Sequence, residues 1–329
     1  MNDSHLEIVP TRILLEIVFV ALVVVIITVA VSEDPQIVNS NFEDWLEIIP
    51  TEANNCGKLN RLGHTKNYVW GLQKEENRLW LFPKDESLEQ SKVLAVFPKN
   101  DPVKDLSCLK DRAFVLTKSS IVIFTENGQK TVKNLDRSYD RLLVQNNSSD
   151  SLNIFLGQDM SFDQAESVDS YFLSKDIWQK RKSYAGRLIQ TIGNNLITFY
   201  ESDSTADLRV IDLHSGQIVN YGLPPNAIIG TSVAVNNNLY LVIGTNVILH
   251  LDLEKKRIVA NTAVPGSAIC LAGPNLIGCY NIGPGTSGLL RNNYIGYFEG
   301  IIQDLVTDHN IIWIATNTGI LTLNLKEES

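Results

Sequence analysis

Hydrophobic positions fall along this chain in two rhythms. The first is one unbroken run, Ile13 to Val31, in which only Glu16 and Thr28 carry polar side-chain atoms. At 1.5 Å per residue a helix of that length spans about 28 Å, close to the hydrocarbon thickness of a bilayer. Helix is the conformation that satisfies the backbone in lipid, so the run predicts a transmembrane helix over 13–31. The competing reading is a cleaved signal peptide ending near Ala30-Val31-Ser32, but the run is long for one and Asp3 and Glu7 precede it. The second rhythm occupies the rest of the chain. A short apolar strand is followed by a turn rich in Asn or Asp and then by a stronger apolar strand. The stronger strands read YVWGLQ, AFVLTK, NIFLGQ, LITFYE, LYLVIG, LIGCYN and IIWIAT. Their turns lie near Asn67, Asp111, Asp150, Asn194, Asn237, Asn275 and Asn310, at spacings of 44, 39, 44, 43, 38 and 35 residues.

A third strand follows most of these (RLWLF, SIVIF, DSYFL, LRVIDL, VILHLDL, ILTLNL), and a fourth often follows that (KVLAVF, QIVNYGL, RIVANTAV). Four strands per 40 or so residues is the spacing of a propeller blade, and the fold class predicted is all-β, a seven-bladed β-propeller. A β-sandwich rarely needs so long a chain or a seven-fold period. The last unit, Ile301 to Leu325, supplies three strands, while Trp45 to Pro50 is a strand with no blade of its own. Pairing that strand as the outer strand of the last blade closes the ring. The expected organisation is a tail over 1–12, the span over 13–31, a linker over 32–44 and the propeller over 45–329.

The passage Arg209 to Val219 resembles the turn of YVTN and quinoprotein-like propellers, and Ile311 to Leu321 resembles blades of the sensor propellers attached to two-component regulators. The chain is thus similar to the YVTN/quinoprotein-like (WD-repeat-like) superfamily, with an N-terminal signal anchor. In layout it is also similar to envelope propellers of the outer-membrane assembly type. It has neither a Gly-His…Trp-Asp signature nor the tryptophan docking motifs of quinoprotein dehydrogenases. The resemblance therefore implies the fold and no cofactor.

Charge and candidate chemistry narrow the function. The formal charge is −9, which argues against a nucleic-acid partner. Arg12 before the span, with no further Lys or Arg until Lys58, favours a cytoplasmic N-terminus and a periplasmic, extracellular or luminal propeller. Cys270 and Cys279 are equidistant from the turn Gly273 to Leu276, so a tight hairpin sets them opposite each other as a disulfide pair; two buried free thiols are the alternative. Cys56 and Cys108 are a possible second pair. His64, His214, His250 and His309 are not expected to converge, and no metal-binding, nucleophile-elbow or phosphate-loop motif is complete. The glycine run Asn281 to Gly288 reads as a loop between strands.

Links between second and third strands are acidic in two neighbouring units, so Asp159, Asp163, Glu166, Glu201, Asp203 and Asp207 form a candidate interaction patch for a basic partner or a divalent cation. Asn146 and Asn147 begin overlapping glycosylation sequons expected in a turn. Lys180-Arg181-Lys182 and Lys255-Lys256-Arg257 are expected to protect outer strand edges. The functional expectation is a single-pass, membrane-anchored propeller, held to the bilayer by residues 13–31. It serves as a non-catalytic protein-interaction scaffold or sensor in membrane or envelope complex assembly, with protein partners on a propeller face. The alternative is an enzyme or small-ligand binder using the central funnel, lactonase-like or glycan-acting.

Overall fold

The computed structural model describes residues 46–49 and 56–325, apart from 86–87, 149, 159–165, 203–204, 225–226, 264–266, 274–276, 284, 292–293 and 300. The strands are short and apolar because both of their faces are covered. In blade 1, Trp70 and Leu72 pack with blade 2, whereas Val69, one position before Trp70 and on the opposite side of the pleat, packs with blade 7. Successive side chains of a strand point to opposite faces, so each sheet contributes one face to each of two neighbours. The result is seven four-stranded antiparallel sheets. The inner strands of blades 1 to 7 are Arg61–His64, Val103–Leu109, Arg141–Ser148, Arg187–Ile192, Ile229–Val235, Ser267–Ala272 and Ile302–Asp308.

The core is correspondingly divided, with one apolar cluster at each seam. Phe114 and Leu116 meet Ile154 and Leu156 between blades 2 and 3. Phe199 and Leu208 meet Leu239 and Leu241 between blades 4 and 5. Trp313 and Ala315 meet Leu59 and Phe82 between blades 7 and 1. Each fully buried side chain of this size contributes roughly 1.5–3 kcal/mol relative to exposure.

The ring closes as the strand count predicts. Leu46–Ile49 pairs antiparallel with Ile320–Leu325, with Leu46 opposite Leu325 and Ile49 opposite Thr322. Residues 13–31, Trp45 and Pro50 lie outside the described residues. Among the described residues, no helix is long and apolar enough to cross a membrane.

Two local expectations are corrected. Asn281 to Gly288 is a hairpin rather than a loop: the second strand of blade 6 runs Ile277–Gly283, the third Thr286–Arg291, and Gly283 pairs with Thr286. Its glycines misled because they serve the strands. Gly285 takes a φ of +80° in the turn, and Gly288 leaves room for the Tyr280 ring, which any Cβ there would strike. Asn146 and Asn147 lie on the exposed end of a strand that continues through Ser148, and the turn comes after them.

Cys270 and Cys279 face each other across the hairpin of blade 6, their Cα atoms 5.2 Å apart, and are joined as a disulfide. Cys56 and Cys108 remain free, because Cys56 is buried in the seam between blades 7 and 1 while Cys108 packs in the next seam.

Hydrogen-bonded and non-bonded positions alternate along an antiparallel strand, so one of Glu47→Pro and Ile48→Pro must remove a ladder bond. A lost buried bond costs about 1–3 kcal/mol, and that variant should melt roughly 3–10 °C lower by circular dichroism. If both variants melt with the parent, the closing strand is dispensable.

Candidate functional site: two mouths of the central funnel

The inner strands surround the axis, and their two ends form the mouths of a funnel. At the starting end, five consecutive blades place a charged residue immediately before a leucine: Asp304-Leu305 in blade 7, Arg61-Leu62 in blade 1, Asp105-Leu106 in blade 2, Arg141-Leu142 in blade 3 and Arg187-Leu188 in blade 4. A β-bulge precedes each aspartate, between Ile302 and Asp304 and between Val103 and Asp105. Such an irregularity re-aims the side chain that follows it, here along the ring toward the next blade.

The two carboxylates act as inter-blade bridges. Asp304 Oδ2 accepts the backbone N–H of Leu62 at 2.8 Å, and Asp105 Oδ2 accepts that of Leu142 at 2.9 Å. Inner strands of different sheets do not share a ladder, so each carboxylate supplies the acceptor that a neighbouring strand would otherwise provide. Between them lies Arg61, with Nε 3.2 Å from Asp105 Oδ1 and Nη1 3.9 Å from Asp304 Oδ2. The Asp105 charge raises the Arg61 pKa, burial opposes the rise, and Asp304 adds to it. Burial also raises the pKa of Asp304, against the pull of Arg61 and the Leu62 and Leu305 N–H groups, with Asp105 contributing to the rise. One cation shared by two buried carboxylates favours a proton on the second.

At the opposite mouth the inner strands end around a cavity of about 510 Å³. Val233, Val235, Leu271, Leu305 and Val306 supply apolar wall, with His64, Asp308 and His309 at the edge. The two histidines, not expected to converge, therefore line one space. They meet because blades 7 and 1 are neighbours across the closing seam. The seam is tied here by Lys84, whose side chain is only 8% exposed. Its ammonium donates to Thr65 O and Asp308 Oδ2, both at 2.5 Å, and lies 3.4 Å from His64 Nδ1. Those contacts account for all three of its donors. Partial desolvation in the mouth and the Lys84 charge lower the His64 pKa, although the ring keeps access to solvent. Burial acts to raise the Asp308 pKa, but the Lys84 hydrogen bond and charge outweigh it and the net shift is downward. His309 Nδ1 lies 3.0 Å from Asp308 Oδ1. Among the described residues, no group of three or more His, Cys, Asp or Glu is placed to hold a metal ion.

Of the candidate acidic patch, Asp159, Asp163 and Asp203 lie outside the described residues. Glu201 is exposed and Asp207 half-buried, both in blade 4, and Glu166 is half-buried immediately before the third strand of blade 3. Close by, the fully buried Asp169 accepts from Tyr139 Oη at 2.6 Å, Lys180 Nζ at 2.7 Å and Arg137 Nη2 at 2.8 Å. Burial acts to raise its pKa, but these partners and Ser183 override it and bring it to about 2. Asp169 is thus a neutralised structural anion rather than part of a free negative surface. Lys180 belongs to the edge cluster and has this second role.

Asp105, Asp304, Arg61, Lys84 and Asp308 were not singled out by sequence reasoning. The available signal was the recurrence of a charged residue before leucine at the start of successive inner strands.

By sequence, the chain matches no protein-family model and no curated protein. Its fold is widely shared. A chain of the crystal structure of the Mitotic Checkpoint Complex matches with a TM-score of 0.62 at 12% identity, over 88% of this chain and 93% of that one. BamB from Moraxella catarrhalis matches with a TM-score of 0.56 at 9% identity, over 86% and 98%. Streptogramin B lyase matches with a TM-score of 0.58 at 15% identity, over 85% and 97%. The likeness is one of fold alone. It agrees with the seven blades and reaches no residue of either mouth.

The two carboxylates of the closing seam have opposite sensitivities. Asparagine at 304 keeps an acceptor for Leu62 and loses a charge the site disfavours, so Asp304→Asn should cost less than about 1 kcal/mol; Asp304→Ala orphans a buried N–H and should cost about 1–3 kcal/mol in urea unfolding. Equal losses would refute the bridge.

Asp308 has a folded pKa below its ordinary 3.8. Its contribution to stability is therefore present above pH 3.8 and is lost as pH falls through the lower folded value. Lys84→Met should lower Tm at pH 7 and flatten its decline below about pH 4. A parallel downward shift at every pH would assign Lys84 a packing role only.

Proposed function

We propose that this protein is a single-pass, membrane-anchored β-propeller that acts as a non-catalytic protein-interaction scaffold or sensor in membrane or envelope complex assembly. Its N-terminus is cytoplasmic and its propeller periplasmic, extracellular or luminal. The observation that carries this reading is the use made of the funnel acids. Asp304 and Asp105 accept backbone N–H groups of the next blade, and Asp308 is held by Lys84. Carboxylates that hold the ring together are poorly placed to move protons for a substrate. The broad loop-bearing faces then become the natural contact surfaces, and structural neighbours such as the Mitotic Checkpoint Complex chain support protein partners for this fold. The apolar run over 13–31 supports the anchor.

A second reading, a small-ligand binder, is favoured by the cavity of about 510 Å³ with His64 and His309 at its edge. That volume lies within the range of small-molecule sites.

Affinity purification of the full chain from detergent-solubilised membranes separates the two. The scaffold reading expects a partner at near-stoichiometric yield; repeated recovery of the chain alone would turn the assignment toward the ligand binder. Protease added to sealed right-side-out membranes should digest the propeller, and protection would reverse the orientation.

A further inference from the structure

The starting mouth of the funnel has more hydrogen-bond donors than the protein uses. Its ring of charges alternates Asp304, Arg61, Asp105, Arg141 through four blades, and the first three satisfy one another. Arg141 comes last. Among the described residues its guanidinium has no hydrogen bond or ion pair, yet it lines a cavity of about 70 Å³ together with Asp105, Gln190 and Thr231. Asp105 is directed elsewhere, since Oδ1 takes Arg61 Nε and Leu106 N while Oδ2 takes Leu142 N, which fills three of its four acceptor sites. Gln190 spends its oxygen on the backbone N–H of Thr191 at 3.0 Å, which leaves its amide NH₂ to donate. Lys74 stands near the same charges: burial lowers its pKa, Asp105 opposes the fall, and Arg61, Arg141 and Lys104 add to it. In a chain of net charge −9 this accumulation of cations runs against the average. A single water needs about 10–15 Å³, so the cavity has room for a group of several heavy atoms.

We propose that this mouth is an oxyanion site, taking a carboxylate or phosphate group between Arg141, Gln190 and Thr231. A planar guanidinium beside neutral amide and hydroxyl donors is the donor set that matches such oxygens. The site is separate from the partner-binding reading above: its failure leaves the scaffold intact, and its success does not require one.

The test uses the full chain purified in mild detergent. Sodium phosphate is titrated against sodium chloride at constant ionic strength while thermal unfolding is followed. Phosphate should raise Tm saturably, by about 3 °C at tenfold excess over half-saturation. Arg141→Gln should abolish the rise while leaving the phosphate-free Tm within about 2 °C, because the guanidinium has no protein partner to lose. Arg112→Gln, on the exposed start of another strand, should respond like the parent. If Arg141→Gln does not fold, the double variant Gln190→Ala/Thr231→Val gives an independent reading, with about tenfold weaker half-saturation expected. A blocked Glu-rich peptide in a parallel arm distinguishes the source: saturation by phosphate alone identifies a free anion, and tighter saturation by the peptide identifies a partner's acidic side chain. Equal responses to phosphate and chloride with no peptide response, or an undiminished rise in Arg141→Gln, would overturn the site.

Discussion

A ring of sheets must close on itself, and every other feature of this propeller is subordinate to that requirement. Six seams lie between sheets that are consecutive in sequence, but the seventh joins the last blade to the first. It is held at three levels. An N-terminal strand completes the outer edge of blade 7. Trp313 and Ala315 interlock with Leu59 and Phe82 in the middle. At the axis, ionic contacts sit at both ends: Asp304 with Arg61 and the Leu62 N–H, and Asp308 with Lys84. An unclosed ring would leave a strand edge and both halves of one seam's core exposed, so these contacts act on the whole domain rather than on one blade.

Polar chemistry is unevenly shared between the mouths. At the starting mouth the carboxylates are committed to backbone N–H groups and Arg61, and donors are in surplus. At the other, Lys84 is saturated and the wall is apolar. The carboxylates and Lys84 lie where blades 7, 1 and 2 meet, while the surplus donors come from blades 3, 4 and 5. In blades 5 and 6 the inner-strand segments Val233–Val235 and Leu271–Ala272 contribute smooth wall. The funnel is therefore polarised across its width as well as along its axis.

Much of the architecture was legible because it depends on local pattern. Asn and Asp at the turns, continuous apolar runs between them and a spare strand before Pro50 specify blade number and closure without any knowledge of contacts. The cysteine pair was legible for the same reason, since symmetry about one turn sets their register. What could not be read depends on longer range. Asp304 meets Leu62 across 242 positions of sequence, and neither residue belongs to a recognisable motif. The glycine run of blade 6 was misjudged because a glycine that admits a tyrosine ring looks, in sequence, like one that makes a loop. His64 and His309 seemed remote from each other only because the chain ends bring their blades together last.

The closing strand has a mechanical meaning. Leu46–Ile49 is bonded to a single neighbour, and it is the first described segment of the chain. A pull on the chain ahead of Leu46 acts directly on this outer strand. Peeling it would expose the edge of Ile320–Leu325 and loosen the seam beside it, while the six remaining sheets kept their own ladders. Retention of this one strand and integrity of the ring are thus joined at one point.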